Sequence, residues 1–212
     1  MSLRDRRVQY ETAGLDRNDL NTDPMTQWKA WYDQAAEASV AEPNAMTIST
    51  IGHDGGPDSR VVLVRGATDE GFVFFTNYNS AKSQQLAQSS HAAAVFAWLD
   101  LHRQVRVRGV VRKCSDAQSD DYFASRPRES QIGAWASPQS EIITDRDELA
   151  RRVADAEHAF TGREVTRPPH WGGWVLKPRE FEFWQGRPSR LHDRFRYVQQ
   201  PDTTWAITRL AP

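Results

Sequence analysis

Residues 45–77 read AMTISTI-GHDGGPD-SRVVLVR-GATDEG-FVFFTN, and this stretch decides the fold class. Three runs rich in β-branched and aromatic residues are separated by His53-Asp54-Gly55-Gly56 and Asp69-Glu70-Gly71, both turn signals. The gaps are too short to hold a crossover helix, so the runs must pair antiparallel. HAAAVFAW (91–98) and RQVRVRGVVRK (103–113) continue the pattern, and GWVLKP, FEFWQ, RFRYVQ and TWAITRL extend it from 173 to 210. Helices fit between and beside them. Asp23-Pro24 is an N-cap followed by proline at the first helical position, and Met25, Trp28, Trp31, Tyr32 and Ala35 recur at helical spacing. SAKSQQLAQ (80–88) reads as a short helix. Ser115 and Gln118 have capping-box spacing, and residues 145–160 form an apolar helical stripe that Gly162 would end. The reading is a mainly β chain with flanking helices (α+β), built on a small antiparallel barrel. Residues 1–22 are polar and read as a flexible N-terminal arm, and residues 23–212 as one domain.

Composition narrows the function. Hydrophobic residues make up 39% of 212, enough for a core without disulfides or metal. The net charge of -1 provides no general attraction for nucleic acid, and the basic residues form short clusters rather than a stripe. The one cysteine, Cys114, excludes an intramolecular disulfide and suits a reducing compartment. No apolar run approaches the roughly 20 residues of a membrane span, and MSLRDRRVQYE lacks a signal peptide's apolar core. A cytoplasmic protein with no membrane association is the expectation. Dinucleotide, Walker and zinc-helix motifs are absent, as is a G-x-S-x-G elbow.

Four basic clusters remain: Arg60 and Arg65 around VVLV, Lys82 at the start of a helix, Arg126-Pro127-Arg128 before Ser130, and Arg190-Leu191-His192-Asp193-Arg194. Arginines beside apolar strand residues can hold phosphate through paired, charge-assisted hydrogen bonds, and a helix N-terminus adds oriented amides. Each cluster alone also fits a solvated strand end or a surface ion pair. A basic, aromatic site without an obvious nucleophile suits an organic cofactor that carries the chemistry. The residues themselves point to a flat anionic ligand and go no further.

Motifs carry the identification further. Glu42-Pro43-Asn44-Ala45-Met46, Tyr122-Phe123 through Ser125-Arg126-Pro127-Arg128, Ser130-Gln131-Ile132-Gly133-Ala134-Trp135, Gln139-Ser140, Trp171-Gly172-Gly173, EFWQG and RLHDRF stand in order along the chain. Together they resemble the pyridoxine/pyridoxamine 5'-phosphate oxidase family, from about Tyr10 to Pro212. The resemblance implies an FMN-binding split barrel and a homodimer with FMN between the subunits. It also implies hydride transfer from C4' of a phosphorylated B6 vitamer to the flavin, with dioxygen as final acceptor and hydrogen peroxide as product. By position, Arg60, Val61, Val62, Leu63, Val64 and Arg65 would lie along the flavin, and Arg60 and Lys82 would hold its phosphate. Phe75, Thr76 and Gln104 would contact the cofactor. Gln139, Ser140, Trp184 and Arg194 would reach it from the partner subunit. Arg65, Tyr122, Arg126 and Ser130 would clamp the substrate phosphate, Arg190 and His192 would carry the catalytic role over the pyridine ring, and Arg7 and Tyr10 would close over the substrate.

The chain departs from the family pattern at Arg65, usually lysine, at Phe75, commonly tyrosine, and at Ala81, commonly arginine. Arg60 and Arg65 also differ in parity, so strict strand alternation sends them to opposite faces. Two other readings stay open beside the oxidase. One is a split-barrel flavoenzyme of the phenazine-pathway type. The other is a protein that binds FMN or pyridoxal phosphate without turnover.

Overall fold

A computed structural model of the chain describes residue 10 and residues 12–212, so the arm residue Arg7 lies outside the described residues. Among the described residues, nine strands form one antiparallel sheet: β1 (Ala45–Ile51), β2 (Pro57–Leu63), β3 (Gly66–Thr68), β4 (Gly71–Asn77), β5 (His91–Trp98), β6 (Arg103–Lys113), β7 (Trp171–Gln185), β8 (Asp193–Gln199) and β9 (Trp205–Leu210). The order is β2-β1-β5-β6-β7-β4-β3, with β8 and β9 added beyond β7. β7 is where the barrel splits. One of its edges pairs with β6 from Trp174 to Gln185, while the other pairs first with β4 and then with β8.

GWVLKP and FEFWQ, two strands by sequence, are thus one 15-residue strand interrupted only by Pro178. Proline cannot donate to a ladder and is tolerated at a bulge. Here the register with β6 shifts between Arg108 and Gly109, and Gly109 faces Pro178. A Cβ on Gly109 would stand 2.0 Å from the Lys177 carbonyl oxygen, so the crossing requires glycine. RVVLVR, by contrast, is not one strand. β2 ends at Leu63, Val64 turns into the core, and the Arg65 amide donates to the Val73 carbonyl (2.8 Å). That strand end frees Arg65 from the alternation that sets the face of Arg60, and the two arginines take different surroundings.

Helix α1 (Pro24–Glu37) is capped by Asp23, whose carboxylate accepts from the Thr26 amide. Its Trp28 ring meets Phe72 and Phe96 at 4.8 and 5.1 Å, and Trp31 meets Phe183 at 5.3 Å. This stripe closes the main core, and truncating either tryptophan would cost about 3–5 kcal/mol. α2 (Ala81–Gln88) follows β4. α3 (Asp116–Ala124) starts at the Ser115–Gln118 capping box, and α5 (Arg146–Ala159) fills the 145–160 stripe, with Gly162 at φ +67° beyond its end. Between them lies α4 (Arg128–Ala136), a helix the sequence reading leaves as loop. Phe123, Ile132, Val165 and Trp171 bind these helices into a second, smaller core, with Val153, Ala156 and Phe160 of α5 and its C-cap against it.

The expected arm is not free throughout. From Thr12 onward it lies on the body, with Leu15 and Leu20 buried and the Tyr197 hydroxyl donating to the Asn21 carbonyl. No described helix is long and apolar enough to cross a membrane.

Candidate active site

β4, the end of β2, α3 and α4 enclose a cleft of about 600 Å³. Its wall carries Val61, Val62, Leu63, Arg65, Phe75, Thr76, Lys82, Tyr122, Arg126, Ser130 and Gln139. The strand end at Leu63 brings Arg65 in, β4 presents Phe75 and Thr76, and the first turn of α2 presents Lys82. α3 supplies Tyr122, the α3–α4 link supplies Arg126, and the first turn of α4 supplies Ser130. The floor is aromatic: Phe75 stacks on Tyr122 at 3.9 Å and on Trp171 at 5.5 Å, with interplanar angles of 16° and 9°.

The cleft is cationic without compensation. Among the described residues, no carboxylate forms an ion pair with Arg65, Lys82 or Arg126. Lys82 Nζ donates to Thr76 Oγ1 and Gln139 Oε1, both at 3.0 Å, and to Ser80 Oγ at 3.3 Å. Burial, reinforced by nearby Arg60, brings its pKa down to about 8. Arg126 stands 4.7 Å over the Trp171 ring, and its Nη1 is buried with no hydrogen-bond partner. Burial lowers its pKa. Arg65 adds to that effect, and Tyr122 opposes it. The α2 N-cap, Ser80, spends its hydroxyl on the Asn77 carbonyl and leaves the helix amides uncapped by a side chain. Three cationic side chains, one with an orphaned guanidinium nitrogen, beside a helix N-terminus without a side-chain cap are the donor types that suit an anion such as phosphate.

Several expected residues stand elsewhere. Arg60 does not line the cleft. Its guanidinium pairs with Asp58 and donates to Thr50 Oγ1 and Gln85 Oε1. Val64 is core, 6% exposed. Gln139, expected to reach across from the partner, is bonded to Lys82 and Thr76 of its own chain. Ser140, exposed at φ 73°, follows it outside the lining. Six lining residues carry no role in the sequence reading: Asn77, Pro127, Gly133, Ala134, Ser137 and Trp171. Two of them shape the cleft. Asn77 ties β4 to the segment after α4 by donating to the Ser137 carbonyl, and Trp171 floors the cleft. The Trp171-Gly172-Gly173 motif signalled the second, while nothing in the composition signalled the first.

Gln104, Trp184, Arg190, His192 and Arg194 gather at the far end of β7. Trp184 is opposite Gln104 on β6 and Arg194 on β8. Arg194 pairs with Glu182, which also binds Arg106. The His192 ring lies 4.5 Å from Trp184, with the Tyr10 ring 5.8 Å away. His192 Nδ1 accepts from the Arg187 amide (3.1 Å), which places the neutral ring's proton on Nε2. Burial lowers the pKa, Arg190 lowers it further, and Asp193 opposes. Trp171 in the cleft and Trp184 in this group are thirteen positions apart on one strand, roughly 40 Å of contour. None of the five residues at this end lines the cleft.

Comparison with known proteins supplies a context for both halves. A family model described as Pyridoxamine 5'-phosphate oxidase matches residues 32–159, and one described as Pyridoxine 5'-phosphate oxidase C-terminal dimerisation region matches residues 171–212. The chain is 50% identical over 210 residues to the pyridoxine/pyridoxamine 5'-phosphate oxidase of Cupriavidus metallidurans, covering 99% of each protein. It is 51% identical over 211 residues to pyridoxine/pyridoxamine 5'-phosphate oxidase 1 of Ralstonia nicotianae, covering 100% of this chain and 99% of that one. Among solved structures it resembles PhzG from Burkholderia lata in complex with tetrahydrophenazine-1-carboxylic acid. There the TM-score is 0.89 and the identity 29%, over 97% of this chain and 100% of the other. A pyridoxamine 5'-phosphate oxidase-related, FMN binding protein from Nostoc punctiforme matches at TM-score 0.70 and 16% identity, over 91% and 100% of the two chains, a likeness of fold alone.

Proposed function

The chain belongs to the pyridoxamine 5'-phosphate oxidase family, and from that premise we propose how its residues carry the reaction. The protein oxidises pyridoxine or pyridoxamine 5'-phosphate to pyridoxal 5'-phosphate, with FMN as cofactor and dioxygen as electron acceptor. The observation that carries this reading is the cleft: Arg65, Lys82 and Arg126 converge on one aromatic-floored cavity with no carboxylate partner among the described residues. That donor set fits FMN and a phosphorylated ring. Lys82 and the α2 amides would hold the FMN phosphate, with Arg60 joining if it leaves Asp58. β2 is the sheet's edge strand, so the backbone of Val61–Leu63 is free to meet the flavin's polar edge. Arg65, Tyr122, Arg126 and Ser130 would clamp the substrate phosphate, the orphaned Arg126 Nη1 finding its acceptor there.

The chemistry supplied by bound FMN is acceptance of a hydride from C4' of the substrate and delivery of the electrons to dioxygen, giving hydrogen peroxide. The protein's part is positioning. Arg190 would hold the pyridine ring against the flavin face. His192, with its ring proton left on Nε2 by the Arg187 contact, would orient the substrate's oxygen or nitrogen. In one chain these two lie outside the cleft, so Arg190, His192, Trp184, Gln104 and Arg194 would come from the second copy of a homodimer. The match of residues 171–212 to a dimerisation region supports that arrangement. A cytoplasmic setting suits the single, buried thiol of Cys114.

The test is peroxide and pyridoxal 5'-phosphate release by FMN-loaded protein given pyridoxamine 5'-phosphate, with Arg190→Ala alongside. Both products in the parent, lost in the variant, are the expected result. A yellow protein that yields neither product ends the oxidase reading. The TM-score of 0.89 to PhzG favours one rival, a phenazine-type substrate. Turnover of a tetrahydrophenazine carboxylate instead of the vitamer would establish it.

A further inference from the structure

The turn that carries Arg190 and His192 is held in an unfavourable backbone conformation. Ser189 and Arg190 have φ of 56° and 62°, in the left-handed region that non-glycine residues disfavour. Two such residues in succession persist only where their surroundings over-determine them. Those surroundings are a clasp between the ends of the turn and residues 12–16.

Arg187 opens the turn and Asp193 closes it. Arg187 Nη1 donates to the Thr12 carbonyl (2.7 Å), and its Nε lies 3.5 Å from Asp193 Oδ2. Asp193 also accepts from the Leu15 amide (3.0 Å) and from Arg209 Nη1 (2.7 Å), while Arg209 Nη2 reaches Asp16 (3.1 Å). Thr12 Oγ1 donates to the Gly186 carbonyl at 2.5 Å. Gly14, at φ +90°, lies so close that a Cβ there would stand 2.8 Å from Arg187 Nη1. Two arginines and two aspartates balance in charge. Asp193, its side chain 17% exposed, bound by two hydrogen-bond donors and ion-paired with Arg187, is no ordinary surface ion-pair partner. The clasp also touches the chemistry, because the Arg187 amide fixes which nitrogen of His192 bears the proton.

We infer that Arg187 and Asp193 are positioning residues: they bind the Thr12–Leu15 strap across the turn, and so fix the direction of Arg190 and the Nε2–H tautomer of His192. This rests on the reading of Arg190 and His192 as substrate-side groups. Neither Arg187 nor Asp193 need touch substrate or cofactor. Their effect passes through the backbone of residues 188–192.

The experiment compares FMN-loaded parent, Arg187→Ala, Arg187→Lys and Asp193→Asn proteins in two measurements. The first is steady-state turnover of pyridoxamine 5'-phosphate, with FMN affinity measured by fluorescence quenching. The second is the ¹⁵N spectrum of histidine-labelled protein, with His192 identified by its loss in His192→Gln. Arg187→Ala and Asp193→Asn are expected to lower kcat/KM about 10- to 100-fold with FMN affinity unchanged. Arg187→Lys should recover part of the loss, since an ammonium can reach one of the two acceptors. The His192 nitrogens should pass from the Nε2–H pattern to an exchanging mixture of tautomers. If kcat/KM per FMN-loaded site and the His192 nitrogens stay at their parent values while the melting temperature falls, the clasp is only structural and the inference is overturned. If the parent itself makes no pyridoxal 5'-phosphate, the oxidase reading fails, and the nitrogen spectra still decide whether the clasp sets His192.

Discussion

Arg126→Met is the substitution for which stability and function should move in opposite directions. The guanidinium is half-buried and has an orphaned Nη1, with Arg65 close enough to lower its pKa after burial has done so. A buried donor without a partner costs about 1–3 kcal/mol. Against that stands its contact with Trp171 at 4.7 Å, worth about 0.5–1 kcal/mol. Methionine fills much of the same volume without a charge, so the ligand-free variant should be level with the parent or more stable by about 1 kcal/mol. For a chain of this length that is a rise in Tm of up to roughly 2–4 °C. Phosphate binding should suffer the reverse. One charge-assisted hydrogen bond is worth about 1.5–3 kcal/mol, so KM for pyridoxamine 5'-phosphate should rise roughly 10- to 150-fold. Thermal melts with inorganic phosphate link the two effects. At tenfold excess over the parent's Kd the parent should gain about 1.4 kcal/mol, and the variant at the same phosphate concentration about 0.4 kcal/mol or less. A lower Tm in the variant together with an unchanged KM would refute the reasoning, since Arg126 would then be a structural cation and not a phosphate receptor.

Lys82 should make FMN binding depend on pH. Its folded pKa of about 8 lies below the ordinary 10.5, so the unfolded chain holds the extra proton between those values and stability rises with pH across that window. Anion binding runs the other way: FMN affinity measured by fluorescence should fall as pH rises through about 8, and Lys82→Met should weaken it about tenfold or more and abolish the dependence. Gly109→Ala should cost about 2–4 kcal/mol, because its Cβ would meet the Lys177 carbonyl at 2.0 Å; thermal melts should show Tm lower by roughly 5–15 °C. Mixing two impaired variants, Arg126→Met and Arg190→Ala, under subunit exchange should restore about a quarter of parent activity assayed well below the parent KM, because half the dimers are mixed and each has one intact site. No recovery in mixed dimers isolated by two tags would mean that cleft and turn act within one chain.

The parts of the fold legible in the sequence were those fixed by local chemistry. Turn residues at 53–56 and 69–71 set the hairpins. Asp23 and Ser115 cap their helices as side chains at those positions should. Long-range pairing was not legible. GWVLKP and FEFWQ read as two strands because Pro178 breaks a ladder, and only the bulge at Gly109 on a different strand lets β7 run through. α4 was missed because its N-cap is Pro127, with no capping side chain to announce it. The fastening of Thr12–Leu15 depends on Arg187 and Asp193, more than 170 residues away, and no local pattern encodes that. One local signal was available and unused. Asp58 and Arg60 are two apart on a strand, hence on one face, which is enough to predict that Arg60 is paired.

The site divides along the same line. Residue types gave a flat anionic ligand, motif order gave the named positions, and the geometry then separated those positions into two groups at opposite ends of β7. A strand of 15 residues makes this separation unavoidable. The end beginning at Trp171 is paired with β4 and belongs to the cationic cleft. The end at Trp184 is paired with β8 and carries the Arg190–His192 turn. A cleft rich in cations and poor in proton-transfer groups lies at one end of β7, and a turn with an exposed arginine and a histidine that accepts at Nδ1 lies at the other. Neither is complete as a site for a phosphorylated ring lying on a flavin. If a second copy supplies the missing half, each β7 serves two sites at once, the cleft of its own chain and the turn presented to the other. Loss of the clasp at Arg187 and Asp193 should then be felt in the partner's cleft. In mixed dimers that pair an Arg126→Met chain with an Arg187→Ala chain, the one intact cleft receives its turn from the Arg126→Met chain, whose clasp is whole. That site should work at the parent rate, and a rate reduced to that of Arg187→Ala would place the clasp's effect within the chain that carries it.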